Sequence, residues 1–248
     1  DGDAVVLFNF RADRMVQMSK AFEYAEFNYF DRQRFPKTNF VGMMQYDGDL
    51  HLPTHFLVPP PEISKVSGEY LVKNGVSVFA CSETQKFGHV TFFWNGNRSG
   101  YFDAKLETYL EIPSDKVVFN EKPDMKANEI TAAGIEALKS GKYKMVRVNY
   151  ANPDMVGHTG DLKATVQACE TVDRCLGELL EVADSLNARW LVTSDHGNAD
   201  DMVQRDKKGK PMMGEDGKPL PLTSHTLAPV PVFVGGKGLP DSVRFVDN

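Results

Sequence analysis

Two apolar, strand-like segments each run out into a pair of metal-competent side chains, and this limits what the chain can fold into. Lys144-Met-Val-Arg-Val-Asn-Tyr150 leads to Asn152-Pro153-Asp154 and then His158, while Arg189-Trp-Leu-Val-Thr-Ser194 leads to Asp195-His196-Gly197-Asn198. An Asp and a His at i, i+4 beyond a strand can present one oxygen and one nitrogen to a common centre. His225, within Ser224-His225-Thr226, adds a third imidazole. In open α/β sheets ligands collect at the carboxyl ends of the strands. Mixed carboxylate and imidazole donors suit Mn, Zn, Co or Fe better than Ca or Mg, which prefer oxygen shells. A single Asp-His pair on a surface turn carries no such message, but two at strand ends with a further His do. A divalent-metal site is the primary reading.

The rest of the pattern is α/β. An apolar strand over 3–10 is expected to be buried on both faces. A helix follows from Arg11 to about Phe22, then a strand at 41–46. Further helices are expected at 63–74, 86–94, 125–139 and 162–186, and strands at 76–81, 144–150, 189–194 and 229–234. That alternation predicts a mostly parallel sheet flanked by helices. Pro59-Pro60-Pro61 is stiff, extended and unsuited to a central strand, so it reads as a linker. Residues 1–58 then close one α/β domain and 62–248 form a second, metal-bearing one. Residues 206–221 are charged and read as a β-hairpin or mobile loop. Their echoed Gly-Lys-Pro, at 209–211 and 217–219, is too short for a structural repeat.

Composition excludes some partners. A net charge of −6 argues against a generic nucleic-acid or anionic-membrane binder, which needs a basic surface. No apolar stretch approaches the roughly 18 residues of a membrane span, and no signal peptide is evident. Cys81, Cys169 and Cys175 lack paired metal spacing. They are expected to be reduced thiols in a cytoplasmic or other reducing compartment.

Five ordered blocks carry a resemblance: Phe8-Asn-Phe-Arg-Ala-Asp-Arg14, Ser82-Glu-Thr-Gln-Lys-Phe-Gly-His-Val-Thr-Phe92, Asn149-Tyr-Ala-Asn-Pro-Asp-Met-Val-Gly-His158, Thr193-Ser-Asp-His-Gly-Asn198 and Ser224-His225-Thr226. Over nearly its whole length the chain resembles the cofactor-independent (2,3-bisphosphoglycerate-independent) phosphoglycerate mutases of plants and trypanosomatids. Their metal domain is similar to that of alkaline phosphatases. The resemblance implies interconversion of 3-phosphoglycerate and 2-phosphoglycerate through a phosphoserine, two divalent metals (usually manganese), and no need for 2,3-bisphosphoglycerate. It implies that Asp154, His158 and His225 bind one metal, and that Asp195 and His196 bind the other with an Asp and the nucleophilic Ser. Arg11 and Arg14 match arginines that hold the glycerate phosphate and carboxylate, a task suited to planar guanidinium groups. A basic pair at a helix start also opposes the macrodipole unless an anion sits there. Lys86 matches a lysine between the metal site and the transferred phosphoryl group. His51, His55 and His89 are not expected to be ligands.

The nucleophilic Ser and its companion Asp lie in an N-terminal portion of such enzymes that has no counterpart here. The chain is therefore expected to be an internal fragment, a monomer inactive without that segment. A hydrolytic metallophosphatase or sulfatase of the same superfamily would share the metal ligands but has no use for the Asn-Phe-Arg-Ala-Asp-Arg motif. A noncatalytic binding module would make the ligands dispensable.

Overall fold

The computed structural model describes residues 1–248 apart from 49, 60–62, 238, 241 and 246–248. Pro60 and Pro61 of the expected linker thus lie outside the described residues. The chain divides into two compact units, one of residues 1–75 with 91–105 and the other of 76–90 with 106–248. The fold is α/β, and among the described residues four of the five strand pairings are parallel. No described helix is long and apolar enough to cross a membrane.

The first unit holds a parallel sheet of β1 (Ala4–Leu7), β2 (Asn39–Met44) and β3 (Phe56–Val58), in that order. Helix α1 (Ala12–Glu23) makes the β1–β2 crossover, and Phe22 stacks on Phe40 with ring centroids 4.8 Å apart. The sequence reading buried β1 on both faces. Instead, among the described residues, it pairs with β2 alone and alternates exposed with half-buried residues, so neither face is fully covered. Helix α2 (Ser67–Lys73), assigned from sequence to the metal-bearing part, lies in this unit. Gly68 is the reason it docks with 91–105: a Cβ there would stand 2.9 Å from Asn95 Oδ1 and 3.2 Å from Phe102.

The second unit centres on β4 (Val78–Glu83), all six residues buried, between β5 (Glu107–Ile112) and β6 (Met145–Val148). Helix α3 (Thr84–Val90) follows β4 directly. Helix α4 (Ala127–Lys139) covers β4 and β6, burying Ile130 and Ala137 against Phe79 and Cys81. Helix α6 (Leu162–Ser185) packs on α4 and is capped by Asp161, whose carboxylate accepts the Ala164 N–H. Gly134 allows this approach, since a Cβ there would meet Leu179 at 3.1 Å and Val148 at 3.3 Å. Short helix α5 (Asn152–Gly157) rests on α6 through Val156, Ala164 and Ala168. At the end of β4, the fully buried Glu83 accepts the Ser114 hydroxyl at 2.7 Å and the Lys126 backbone N–H at 3.1 Å. Burial pushes this carboxyl above the usual range despite both donors.

Strand β7 (Trp190–Thr193) pairs antiparallel with β8 (Val232–Gly235), apart from the parallel sheet. Pro229 and Pro231 precede β8, where a missing N–H costs no ladder bond. The segment read as a hairpin or mobile loop is a closed three-piece ring. Gln204 donates its N–H to the Leu220 carbonyl at 2.9 Å, Leu220 to Met212 at 2.8 Å, and Met212 back to Gln204 at 2.8 Å. The repeated Gly-Lys-Pro marks equivalent turns of that ring, with Gly209 at φ 77 and Gly217 at φ 74.

Candidate metal centre

Asp154 and His158 project from α5, which starts where β6 ends. Asn152 anchors that start: its amide donates to the Pro123 carbonyl at 2.9 Å and the Asp124 carbonyl at 2.8 Å. Pro153 sits in the first turn, where its fixed φ suits a helix start. The expected strand-end position becomes a helix of less than two turns, whose pitch sets the i, i+4 pair on one face. Asp195 and His196 follow β7, and His225 lies before β8. An antiparallel bridge between Gly197 and Thr226 draws the two loops together. The two glycines here leave room for neighbours: a Cβ on Gly197 would collide with Thr226 and Asp200, and one on Gly157 with Asn198.

The structure brings Asp154, His158 and His225 to one point. Asp154 Oδ1 lies 3.1 Å from His158 Nε2 and 3.2 Å from His225 Nε2, and the two nitrogens are 3.2 Å apart. His158 Nδ1 is 2.6 Å from the Thr223 carbonyl, which can only accept, so Nδ1 carries the proton and Nε2 offers a lone pair. A proton on His225 Nε2 could serve one of these contacts, whereas a divalent cation serves all three. Donors about 2.1 Å from a shared tetrahedral ion stand about 3.4 Å apart, so the spacing fits. Among the described residues this is the group of three or more His, Cys, Asp or Glu whose ligand atoms converge.

Asp195 and His196 are next to it. The His196 and His225 rings stack at 3.6 Å, and His196 Nδ1 faces the Gly197 carbonyl at 3.3 Å, turning Nε2 inward. Lys86, only 4% exposed, links the two pairs. Its ammonium donates to Asp154 Oδ2 at 2.8 Å and to Asp195 Oδ2 and His196 Nε2, both at 3.4 Å. Two protein donors meet at that second position, fewer than a closed shell needs. Burial raises the Asp154 pKa, but the Lys86 ammonium and the Asn198 amide outweigh it and hold the carboxyl below its ordinary value. Burial, then repulsion from His196, lowers His225, which favours the neutral imidazole that a metal ligand needs. A cavity of about 230 Å³ opens beside this cluster, lined by Lys86, Asn149, Asp195, His196 and Asn198.

Arg11 and Arg14 belong to the first unit, at the start of α1. Asp13 offsets the charge of Arg11, its carboxylate accepting Arg11 Nε at 3.1 and 3.2 Å. Both arginines are exposed, and the described residues supply no partner for the Arg14 guanidinium. Ser82 and Ser194 both donate to backbone carbonyls, of Asn149 at 3.1 Å and of His196 at 2.7 Å. Sequence reasoning gave no role to Asn198, to Asp200 with Thr226, or to the Thr223 carbonyl. Only the position of Asn198 within Asp-His-Gly-Asn hinted at one.

The model of the Metalloenzyme superfamily matches residues 13–248. The 2,3-bisphosphoglycerate-independent phosphoglycerate mutase of Trypanosoma brucei brucei is 62% identical over 244 residues, covering 98% of this chain and 44% of that protein. The Nicotiana tabacum protein of the same name is 60% identical over 246 residues, covering 99% of this chain and 44% of that one. A solved structure described as Leishmania mexicana phosphoglycerate mutase at low cobalt concentration superposes with a TM-score of 0.94 at 61% identity, over 97% of this chain and 44% of that one. The chain thus spans under half the length of these relatives. With a family model covering almost all of it and a converging carboxylate–imidazole cluster within the matched region, the chain belongs to the metalloenzyme superfamily and is similar, along nearly its full length, to cofactor-independent phosphoglycerate mutases.

Proposed function

We propose that the protein containing this chain is a phosphoglycerate mutase that interconverts 3-phosphoglycerate and 2-phosphoglycerate in glycolysis without 2,3-bisphosphoglycerate. It would work as a cytoplasmic monomer through a phosphoserine whose serine lies outside these 248 residues. The observation that carries the reading is the meeting of Asp154, His158 and His225 beside Lys86, within a chain 62% identical to a mutase of that name. Ser82 and Ser194 hydrogen-bond to carbonyls, which argues against either as the nucleophile.

Asp154, His158 and His225 would hold one divalent cation, and Asp195 with His196 part of the shell of another, manganese being the expected metal. Bound there, the cations supply charge that stabilises the equatorial phosphoryl oxygens and acidifies a serine hydroxyl. Lys86 brings a buried ammonium to the same place, where its charge acts at low dielectric on the transferred phosphoryl group. Arg11 and Arg14 would hold the glycerate by bidentate contacts while it reorients and offers its other hydroxyl. Exclusion of water from the phosphoenzyme separates a mutase from a phosphatase. The unit of residues 1–75 with 91–105 would then be the phosphotransferase part, and that of 76–90 with 106–248 the metal-binding part.

The test incubates the full-length protein with 3-phosphoglycerate and Mn²⁺ and follows both 2-phosphoglycerate and inorganic phosphate. Formation of 2-phosphoglycerate, lost in Asp154→Asn, is expected. Release of phosphate without 2-phosphoglycerate would favour the hydrolase, and normal turnover by Asp154→Asn would remove the metal site from the reaction.

A further inference from the structure

Asp154 carries an unusual load. Its Oδ1 faces His158 Nε2 and His225 Nε2, while its Oδ2 takes Lys86. A carboxylate turns readily about its terminal torsion, so something must fix which lone pair faces the imidazoles. Lys86 cannot do so alone, because an ammonium is a point charge with rotatable donors. Asn198 can. Its Nδ2 donates to Asp154 Oδ1 at 2.8 Å and lies 3.3 Å from the Asp154 backbone carbonyl. One planar amide therefore reaches both the side chain and the main chain of the same residue, which fixes the carboxylate plane relative to α5.

The same side chain is 5% exposed, and its Oδ1 is buried with no hydrogen-bond partner among the described residues. Leaving an amide oxygen unpaired in the interior is unfavourable, so packing alone would favour an apolar residue there. That oxygen sits over the Cα of Gly157, where any Cβ would collide with it. Gly157 is the last residue of α5. A half-satisfied amide and a residue without a Cβ thus meet at one contact whose product is the orientation of Asp154.

We infer that Asn198 is a positioning residue that holds the Asp154 carboxylate in its ligating rotamer, with Gly157 providing the space from which it acts. This rests on the reading that Asp154, His158 and His225 hold a divalent ion. The test titrates Co²⁺ into the metal-free full-length protein, recording the visible absorption band, for wild type, Asp154→Asn, Asn198→Leu and Gly157→Ala. Leucine keeps the volume but has no N–H, and alanine at 157 displaces the amide without touching Asn198. Both are expected to weaken the Asp154→Asn-sensitive binding about 10- to 100-fold, the range for lost outer-shell partners, and to shift its band. Metal-free unfolding of Asn198→Leu should match wild type, and Gly157→Ala guards against a leucine variant that misfolds. Wild-type affinity and spectrum in both variants would overturn the inference, as would an affinity loss matched by an equal loss of metal-free stability. Equal Co²⁺ binding by wild type and Asp154→Asn would instead remove the ion site itself, and the role of Asn198 with it.

Discussion

Replacing Lys86 with Met tests whether charge, rather than shape, organises the centre. The side chains are of similar length, so packing around α3 is largely kept while the ammonium is lost. That ammonium is 2.8 Å from Asp154 Oδ2, with side-chain exposures of 5% and 13%. At an effective dielectric of 20 the attraction is about 6 kcal/mol, and desolvation of both groups opposes it. Removing one partner of a buried pair costs about 3–5 kcal/mol because the other charge is left uncompensated. For a protein of this size that lowers the midpoint of thermal unfolding by roughly 10 °C. The condition matters: the loss is expected in full in chelator and is expected to shrink when Mn²⁺ saturates the site, since a cation then faces Asp154 in place of the ammonium. Calorimetry of wild type and Lys86→Met, with chelator and with Mn²⁺, reads both effects. Equal stability in chelator would refute the ion-pair argument. A deficit that Mn²⁺ leaves untouched would show that the loss is one of packing.

Three further outcomes are expected. Arg11→Ala in the full-length protein should cut mutase turnover by about 2–5 kcal/mol of transition-state binding while metal content by elemental analysis stays normal; near-normal turnover would take Arg11 out of the substrate site. Gly197→Ala should cost about 1–3 kcal/mol, because its Cβ collides with the Thr226 and Asp200 pair that braces the His225 loop, and it should weaken metal binding in a titration. For Glu83, whose folded pKa is raised by burial, the protonated form favours the folded state, so its contribution is full below about pH 4.3 and is lost as pH rises through the folded value. Glu83→Gln should accordingly unfold at a higher temperature than wild type near pH 7 and converge with it near pH 4, and a gap that stays constant with pH would contradict this.

How far the chain could be read before its structure depended on how local each signal was. Asp154 and His158 were legible because i, i+4 spacing alone sets two side chains on one helix face, even though a strand end was expected there. His225 was legible only as a residue type; what carries it to the others is the Gly197–Thr226 bridge, which no periodicity announces. β5 escaped notice because Glu107-Thr-Tyr-Leu-Glu-Ile112 is partly charged and takes its conformation from pairing with β4 rather than from its own propensity. β1 misled in the opposite sense: an apolar run says that burial is possible, not that a neighbour covers it. Asn198 was in plain view, yet its partner is 44 residues away in sequence.

The closed ring between the two ligand loops has a consequence for building on this protein. Its ends are clasped at the base, where Leu222 donates to the Met202 carbonyl at 2.9 Å, so the histidine loops on either side are held at a fixed separation whatever happens at the far turns. Those turns, at Gly209 and Gly217, are exposed, and exposed loop tips tolerate insertion. The ring is in effect a socket: a fluorophore or a short tag grafted at either tip would travel with the metal centre without entering it, giving an attachment point that leaves the site itself unaltered.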